Sequence, residues 1–199
     1  MPGEELHVRG ADYARRAKLW LDYTTRVRAS WLVTDQFGAD RLAYSWPFND
    51  EGFSFDLGGI LRGEGLDNQS FLTEVKGYST PADQGSHYLS YLAKCYVALG
   101  AHPGNAQNFM WITWCPFNVT SWNELCSPTK VKEGVLHERA RVLGTEDYDK
   151  AETLVNENRI KDVADRLWLI VLSERQEKLV ISPEELGELE RIRRRRGQS

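Results

Sequence analysis

An aspartate, a glutamate and a lysine stand at spacings that suit metal-assisted chemistry on a phosphate. Asp56 lies near the end of the run FSFD, and Glu74 and Lys76 lie in the later run FLTEVKGY. Residues two apart on a strand face the same side, so Glu74 and Lys76 are expected to point together and Val75 toward the opposite core. If the two runs are neighbouring strands, the carboxylates of Asp56 and Glu74 with the carbonyl oxygen of Val75 form an all-oxygen site that suits Mg²⁺.

Lys76 is predicted to act beside that ion. Its compact ammonium group can position or help to deprotonate a water, and it can stabilise the charge that grows on phosphate oxygens in the transition state. No other lysine of the sequence has an acidic residue two positions before it. The same triplet also fits an exposed edge strand with a cross-strand salt bridge.

The elements that must position these residues are predicted from apolar periodicity and turn residues. Thr80 and Pro81 suit the start of a helix, because threonine can cap the first amides and proline is preset for the first helical position. In chain order we expect a helix from Ala11 to about Val33, strands at Arg41–Pro47, Gly52–Leu57 and Phe71–Tyr78, a helix from Thr80 to about Leu99, and a buried strand at Phe109–Phe117.

Turns and helices fill the rest of the chain. A turn cluster is expected at Asp35–Asp40, and the glycines between the second and third strands suit tight reversals and an exposed loop. These glycines are Gly58, Gly59, Gly63 and Gly65. Beyond a linker at Pro128, helices are expected near Val135–Val142, at Tyr148–Ser173 and from Pro183 onward, with a short edge strand at Leu179–Ser182 left open.

This arrangement resembles the PD-(D/E)XK nuclease superfamily, which has the restriction-endonuclease-like fold. The motif maps onto Asp56, Glu74 and Lys76, and the resemblance covers about Ala11 to Phe117. It implies an α/β core of helix, three strands, helix and strand, with a central mixed sheet flanked by helices and a C-terminal helical extension. The proline that usually precedes the aspartate is absent, since Phe55 stands there.

The RecB-like branch of this superfamily places Gln-x-x-x-Tyr on the helix after the lysine strand, and Gln84 and Tyr88 stand at that spacing. Four residues apart on a helix puts both on one face, so the resemblance directs them toward the site. Tyr88 fits the packing of an aromatic core as well as a functional role. His87 is interpreted as a surface histidine.

The resemblance divides the chain into a nuclease core, residues 1–130, and a helical extension, residues 131–199, packed on the same domain. It implies a DNA hydrolase that uses Mg²⁺, with Mn²⁺ able to substitute, and that leaves a 5′-phosphate. DNA is the expected partner, RNA is not excluded, and a bacterial restriction, repair or anti-phage system with a partner subunit or homodimer is the natural setting. The alternative is a non-catalytic nucleic-acid-binding or scaffolding module that keeps the fold.

Composition limits these readings. With 199 residues and 41% hydrophobic content, the chain can bury one substantial core. The net charge is −4 although the terminal arginine run contributes +5, so the rest of the chain sums to −9 and attraction to DNA must come from local patches or a basic partner. The arginine run itself fits either a phosphate contact or a solvated helix end. These arginines are Arg191, Arg193, Arg194, Arg195 and Arg196.

Three cysteines without C-x-x-C spacing argue against a disulfide framework and a zinc knuckle. The sequence contains no apolar run of membrane-spanning length and no secretory signal, which predicts a cytoplasmic protein without a membrane partner.

Overall fold

A computed structural model describes residues 2–77 and 83–197 of the chain. The strands in this part are β1 (Val27–Leu32), β2 (Ala43–Ser45), β3 (Gly52–Ser54), β4 (Leu57–Leu61), β5 (Ser70–Lys76), β6 (Phe109–Thr113) and β7 (Leu167–Val171). The helices are α1 (Pro2–Asp22), α2 (Gln36–Leu42), α3 (Gln84–Ala101), α4 (Pro128–His137), α5 (Arg139–Leu143), α6 (Tyr148–Leu154), α7 (Glu157–Ala164) and α8 (Pro183–Gly197). 3₁₀ segments occur at Val119–Glu124, which is kinked at Ser121, and at Gln176–Lys178.

The protein is an α/β domain built on a five-stranded mixed sheet with the strand order β1-β4-β5-β6-β7. The pairs β1–β4 and β4–β5 are antiparallel, whereas β5–β6 and β6–β7 are parallel. All five residues of β6 are buried, as is typical of a central strand in a parallel pair. Strands β2 and β3 form a separate hairpin.

Each face of the sheet has its own apolar cluster. Leu72 and Trp111 point to the face covered by α3, α4 and α7, which holds the larger cluster. Val75 and Ile112 point to the opposite face, which α1 covers through Ala14, Ala17 and Leu21. Alternation along β5 and β6 therefore sorts neighbouring residues into two cores.

Local sequence explains several helix starts. Pro128 opens α4, where its missing N–H costs nothing, and Ser127 caps the helix by accepting a hydrogen bond from the amide of Lys130 at 3.1 Å. Asn156 caps α7 in the same way through the amide of Arg159. The linker expected before residue 135 is thus already helical from Pro128.

The expected first helix was too long. The chain leaves α1 at Asp22, turns through Thr25 with a positive φ of 71°, and continues as β1 from Val27. The four-residue step from Val27 to Trp31 fits a helix as well as a strand, so periodicity alone misassigned this segment.

The segment between β1 and β4 also differs from expectation. The turn cluster at Asp35–Asp40 is the helix α2, and the strand expected at Arg41–Pro47 is reduced to β2. The strand expected at Gly52–Leu57 is interrupted, because β3 ends at Ser54 and β4 begins at Leu57.

Two of the four loop glycines lie in a strand. Gly63 and Gly65 turn the chain with φ of 82° each, as expected, whereas Gly58 and Gly59 belong to β4. A Cβ on Gly59 would lie 2.5 Å from the ring of Phe71 and 2.4 Å from the carbonyl oxygen of Ala29, so close packing explains this glycine.

The C-terminal extension is not helical throughout. The single helix expected at Tyr148–Ser173 is α6, α7 and the strand β7, which completes the central sheet beside β6. The run LWLIV of β7 is too short for its periodicity to distinguish a strand from a helix. Leu179–Ser182 forms no strand, and the helix from Pro183 is confirmed.

The helix start expected at Thr80 and Pro81 lies outside the described residues, and α3 ends at Ala101, two residues beyond the expected Leu99.

Close packing of α3 against α4 depends on Gly134, where an added Cβ would lie 2.7 Å from the carbonyl oxygen of Leu89 and 2.7 Å from the Cβ of Leu92. Gly134→Ala should therefore lower the free energy of unfolding by about 1–3 kcal/mol in urea denaturation. Gly187→Ala in α8 is the matched control, because a Cβ there meets nothing within 4 Å and should stabilise the helix by about 0.5–1 kcal/mol. Equal stability of Gly134→Ala and the wild type would contradict the packing described here.

Candidate active site

Asp56 and Glu74 approach each other at one end of the sheet. Asp56 directly precedes β4, and the pairing of Leu57 with Thr73 places it beside Glu74 on β5. The amide of Asp56 donates to the carbonyl of Thr73 at 3.0 Å, and the amide of Val75 donates to Asp56 Oδ2 at 2.8 Å. The two acidic residues are thus fixed on adjacent strands, as the sequence predicts.

Glu74 is buried between two lysines. Lys76 Nζ lies 2.8 Å from Glu74 Oε1, and Lys94 Nζ lies 3.2 Å from Oε2 and 3.4 Å from Oε1. The side chain of Glu74 is only 8% exposed. Glu74 and Lys76 point together, and Val75 packs in the cluster on the α1 face. The expected division of β5 into two faces is therefore confirmed.

Lys94 was missed by the sequence analysis. It projects from α3, and its Nζ also donates to the carbonyl of Ser54 at 3.3 Å. A sequence signal for it does exist. Lys94 is the one charged residue in the run from Tyr88 to Leu99, and its neighbours Ala93 and Cys95 are fully buried. A charge in such a run needs a buried partner.

The four charges of the site shift the acidities of the two carboxyl groups in opposite directions. Burial, and after it the nearby charge of Glu74, raise the pKa of Asp56 to about 6 against the pull of Lys76. Burial also acts to raise the pKa of Glu74, but Lys94 and Lys76 together outweigh it, so the pKa of Glu74 lies below its ordinary value. Glu74 therefore stays ionised, whereas Asp56 is the carboxyl group that takes up a proton first.

Gln84 and Tyr88 are both buried, and their hydrogen bonds lead to different parts of the structure. Gln84 Nε2 donates to the carbonyl of Cys115 at 3.1 Å, and Gln84 Oε1 accepts from Thr113 Oγ1 at 2.9 Å. These bonds tie the start of α3 to the end of β6. Tyr88 donates its hydroxyl to the carbonyl of Leu125 at 2.9 Å.

Tyr88 belongs to an aromatic group within the larger apolar cluster. Its ring centroid lies 5.2 Å from that of Trp111 and 5.3 Å from that of Phe117. Burial raises the pKa of its hydroxyl far above the ordinary value. The structure thus places Tyr88 in the core, and the side chains that α3 directs toward Glu74 are on a neighbouring helix face.

That neighbouring face carries His87, Tyr91 and Lys94, at helical steps of four and three. Burial lowers the pKa of His87, and the charge of Lys76 lowers it further, so the imidazole is near that lysine. Tyr91 is fully buried, and the charge of Glu74 contributes to the high pKa of its hydroxyl. His87, interpreted from sequence as a surface residue, is exposed at the edge of this charged group.

A cleft of about 240 Å³ opens beside Asp56. Small residues of α1, Gly10, Ala11 and Ala14, form one wall, and the segment after β1 forms the other. The amide of Val33 donates to the carbonyl of Asp56 at 3.0 Å, which fixes that second wall to the site. Asp56 is therefore part of the lining of an open cleft on the α1 side of the sheet.

The residues available to hold a metal are the two acidic side chains and the backbone between them. No group of three or more His, Cys, Asp or Glu side chains with suitable geometry occurs in residues 2–77 and 83–197. A divalent ion at this place would be held by Asp56, Glu74 and the carbonyl oxygen of Val75. A divalent cation there would favour the ionised form of Asp56, which burial and the charge of Glu74 disfavour.

Two tryptophans and the terminal arginines make contacts of their own. Trp111 is fully buried in the aromatic group, and Trp114 Nε1 donates to Glu177 at 2.6 Å. The terminal arginines belong to α8, where Arg193 pairs with Glu190 at 3.2 Å and donates to the carbonyl of Thr25. The described helices include none that is both long and apolar enough to cross a membrane.

The acidity of Asp56 predicts a pH-dependent stability. Because its pKa of about 6 lies above the unfolded value of about 3.9, its protonation stabilises the fold. This contribution is fully present below about pH 4 and is lost as the pH rises through about 6. Asp56→Asn cannot ionise, so its stability relative to the wild type should increase by about 2–3 kcal/mol between about pH 4 and about pH 7.5.

Urea denaturation of both proteins at the two pH values measures this difference. Asp162→Asn, at an exposed aspartate of α7, controls for the loss of a surface charge. A stability gap for Asp56→Asn that does not change with pH would show that the carboxyl group is not perturbed.

Comparison with known proteins found no matching family model, no matching curated protein and no matching solved structure.

Proposed function

We propose that this protein is a metal-dependent nuclease that hydrolyses phosphodiester bonds of DNA. The observation that carries the proposal is the meeting of Asp56, Glu74 and Lys76 at one end of the sheet, with Lys76 Nζ 2.8 Å from Glu74. Two carboxyl groups beside an ammonium group suit a hard divalent cation and an anionic substrate together. With Lys94 included, the four charged side chains sum to zero, so the site accepts both a cation and a phosphate without a large imbalance of charge.

The order of elements supports the same proposal. In chain order, the elements around the site are α1, the three antiparallel strands β1, β4 and β5, the helix α3 and the parallel strand β6. This is the order that the restriction-endonuclease-like core requires, with β2, β3 and α2 as an insertion before Asp56. We infer that the chain has this core and that β7 extends its sheet.

Each residue has a distinct role in the proposed reaction. Asp56 and Glu74, with the carbonyl oxygen of Val75, would hold Mg²⁺ or Mn²⁺. Such an ion, when bound, supplies Lewis-acid chemistry and lowers the pKa of water. Lys76 would orient the attacking water and stabilise the negative charge that develops on the phosphate. Gln84 would support the site indirectly, because its bonds to Thr113 and Cys115 fix the start of α3.

Removal of either charged group should abolish cleavage. Purified protein should degrade DNA in the presence of Mg²⁺, and Asp56→Ala or Lys76→Ala should lower the rate by about a hundredfold or more, because each removes a group that acts on the reacting phosphate. Asp162→Ala and Lys161→Ala remove exposed charges of α7 and should retain full activity. Gel assays with supercoiled, linear and single-stranded DNA, and with RNA, measure the effect. Cleavage that survives both site changes would reject the assignment.

Tyr88 provides a second test, which separates packing from catalysis. Tyr88→Phe keeps the ring but leaves the buried carbonyl of Leu125 without its donor. We expect a loss of about 1–2 kcal/mol in the free energy of unfolding with an unchanged cleavage rate. A strong loss of activity at unchanged stability would instead assign the hydroxyl to the site.

A nuclease subunit of a larger assembly is a more specific form of the proposal. Its support is the net charge of −4, which gives the chain no general attraction to a polyanion. A motor or recognition partner, or a second copy, would then deliver the DNA.

The alternative is a non-catalytic nucleic-acid-binding or scaffolding module, which the pairing of Glu74 with two lysines also permits. Calorimetric titration with Mn²⁺ separates the two, because binding without cleavage indicates a missing partner and no binding indicates the module.

A further inference from the structure

Lys94 connects the two chain segments that carry the proposed metal ligands. Its Nζ contacts both carboxylate oxygens of Glu74 on β5, and it donates to the carbonyl of Ser54, two residues before Asp56. A single ammonium group on α3 therefore holds the approach to β4 and the middle of β5 together.

The position of Lys94 is fixed by packing as well as by charge. Its neighbours Ala93 and Cys95 are fully buried in α3, and its Nζ lies 6.0 Å from the ring centroid of Phe53. The side chain is 19% exposed. Since the aliphatic stem is enclosed, the ammonium group has little freedom to leave Glu74 unless another cation replaces it.

Both oxygens of Glu74 already contact a positive charge. Lys76 Nζ donates to Oε1 at 2.8 Å, and Lys94 Nζ lies nearest to Oε2, at 3.2 Å. A divalent cation that binds Glu74 must therefore share this carboxylate with Lys94 or displace it. Like charges at such short range repel strongly in a partly buried site.

We infer that Lys94 is a positioning residue that acts as a built-in counter-cation. It holds Glu74 in place when no divalent ion is bound, and it opposes the entry of that ion. This inference rests on the proposed function, because it concerns the same metal site. Lys94 would thereby lower the affinity of the site for a divalent ion, an effect that neither the acidic pair nor Lys76 explains alone.

The affinity for Mn²⁺ tests this role without any measurement of cleavage. Calorimetry at one pH and ionic strength should show that Lys94→Met and Lys94→Gln bind Mn²⁺ about tenfold more tightly than the wild type, because a repelling charge has been removed. Lys94→Arg keeps the charge and should remain within about threefold of the wild type. A lysine that only stabilised the structure would give the opposite sign, since loosening the ligands weakens binding.

Unfolding measurements with and without Mn²⁺ provide an independent test of the same role. Without Mn²⁺, Lys94→Met should be less stable than the wild type because Glu74 loses a partner, and saturating Mn²⁺ should reduce that difference. Circular dichroism identifies a variant that does not fold, and Lys94→Gln, which retains a hydrogen-bond donor, then serves in place of Lys94→Met.

The outcomes separate the two proposals. Equal or weaker Mn²⁺ binding by the folded, uncharged variants overturns the role of Lys94 alone. A wild type and variants that all fail to bind Mn²⁺ overturn the proposed function, and the role of Lys94 with it. Tighter binding by the uncharged variants, with Lys94→Arg close to the wild type, supports both.

Discussion

The need to keep a buried glutamate charged constrains much of this structure. Glu74 lies on the central strand β5 with its side chain almost fully enclosed, where an ionised carboxylate without partners would be very unfavourable. Two ammonium groups compensate its charge from different directions. Lys76 lies on the same strand, and Lys94 lies on α3, which packs across the sheet. Helix α3 must therefore lie in one register over β5, because only that register brings Lys94 to the carboxylate.

The rest of the site follows from this arrangement. Both lysines pair with Glu74 and lower its pKa below the ordinary value. They act more weakly on Asp56, so burial raises the pKa of Asp56, and the two carboxyl groups have different acidities. Unequal acidities in a pair of carboxyl groups are common at functional sites, although structural ion pairs produce them as well. The apolar clusters on both faces of the sheet maintain the low polarity that makes these differences large.

Much of the core and of the site could be predicted from the sequence. Alternation along β5 predicted that Glu74 and Lys76 share a face, and the end of α3 was predicted to within two residues. Strand β6 begins at Phe109 as expected but ends at Thr113 rather than Phe117. The segments of β1 and β7 were misassigned because runs of this length satisfy the periods of helix and strand alike. The helix α2 was expected as a turn because Asp35, Gly38 and Asp40 are typical turn residues. Lys94 was not found, since the direction of a helix face depends on how the helix packs, which no local pattern records. Gly59 was read as a loop residue because the crowding that requires it comes from Phe71 and Ala29.

The position of β7 at the edge of the sheet has a consequence for how the protein is made. Strand β7, from much later in the chain, pairs along the whole length of β6 and covers one of its edges. During synthesis β6 leaves the ribosome first, and its apolar edge stays open until β7 has emerged. The nascent chain thus passes through a stage with an unprotected edge strand that favours aggregation, and a product shortened before Leu167 would remain in that state permanently.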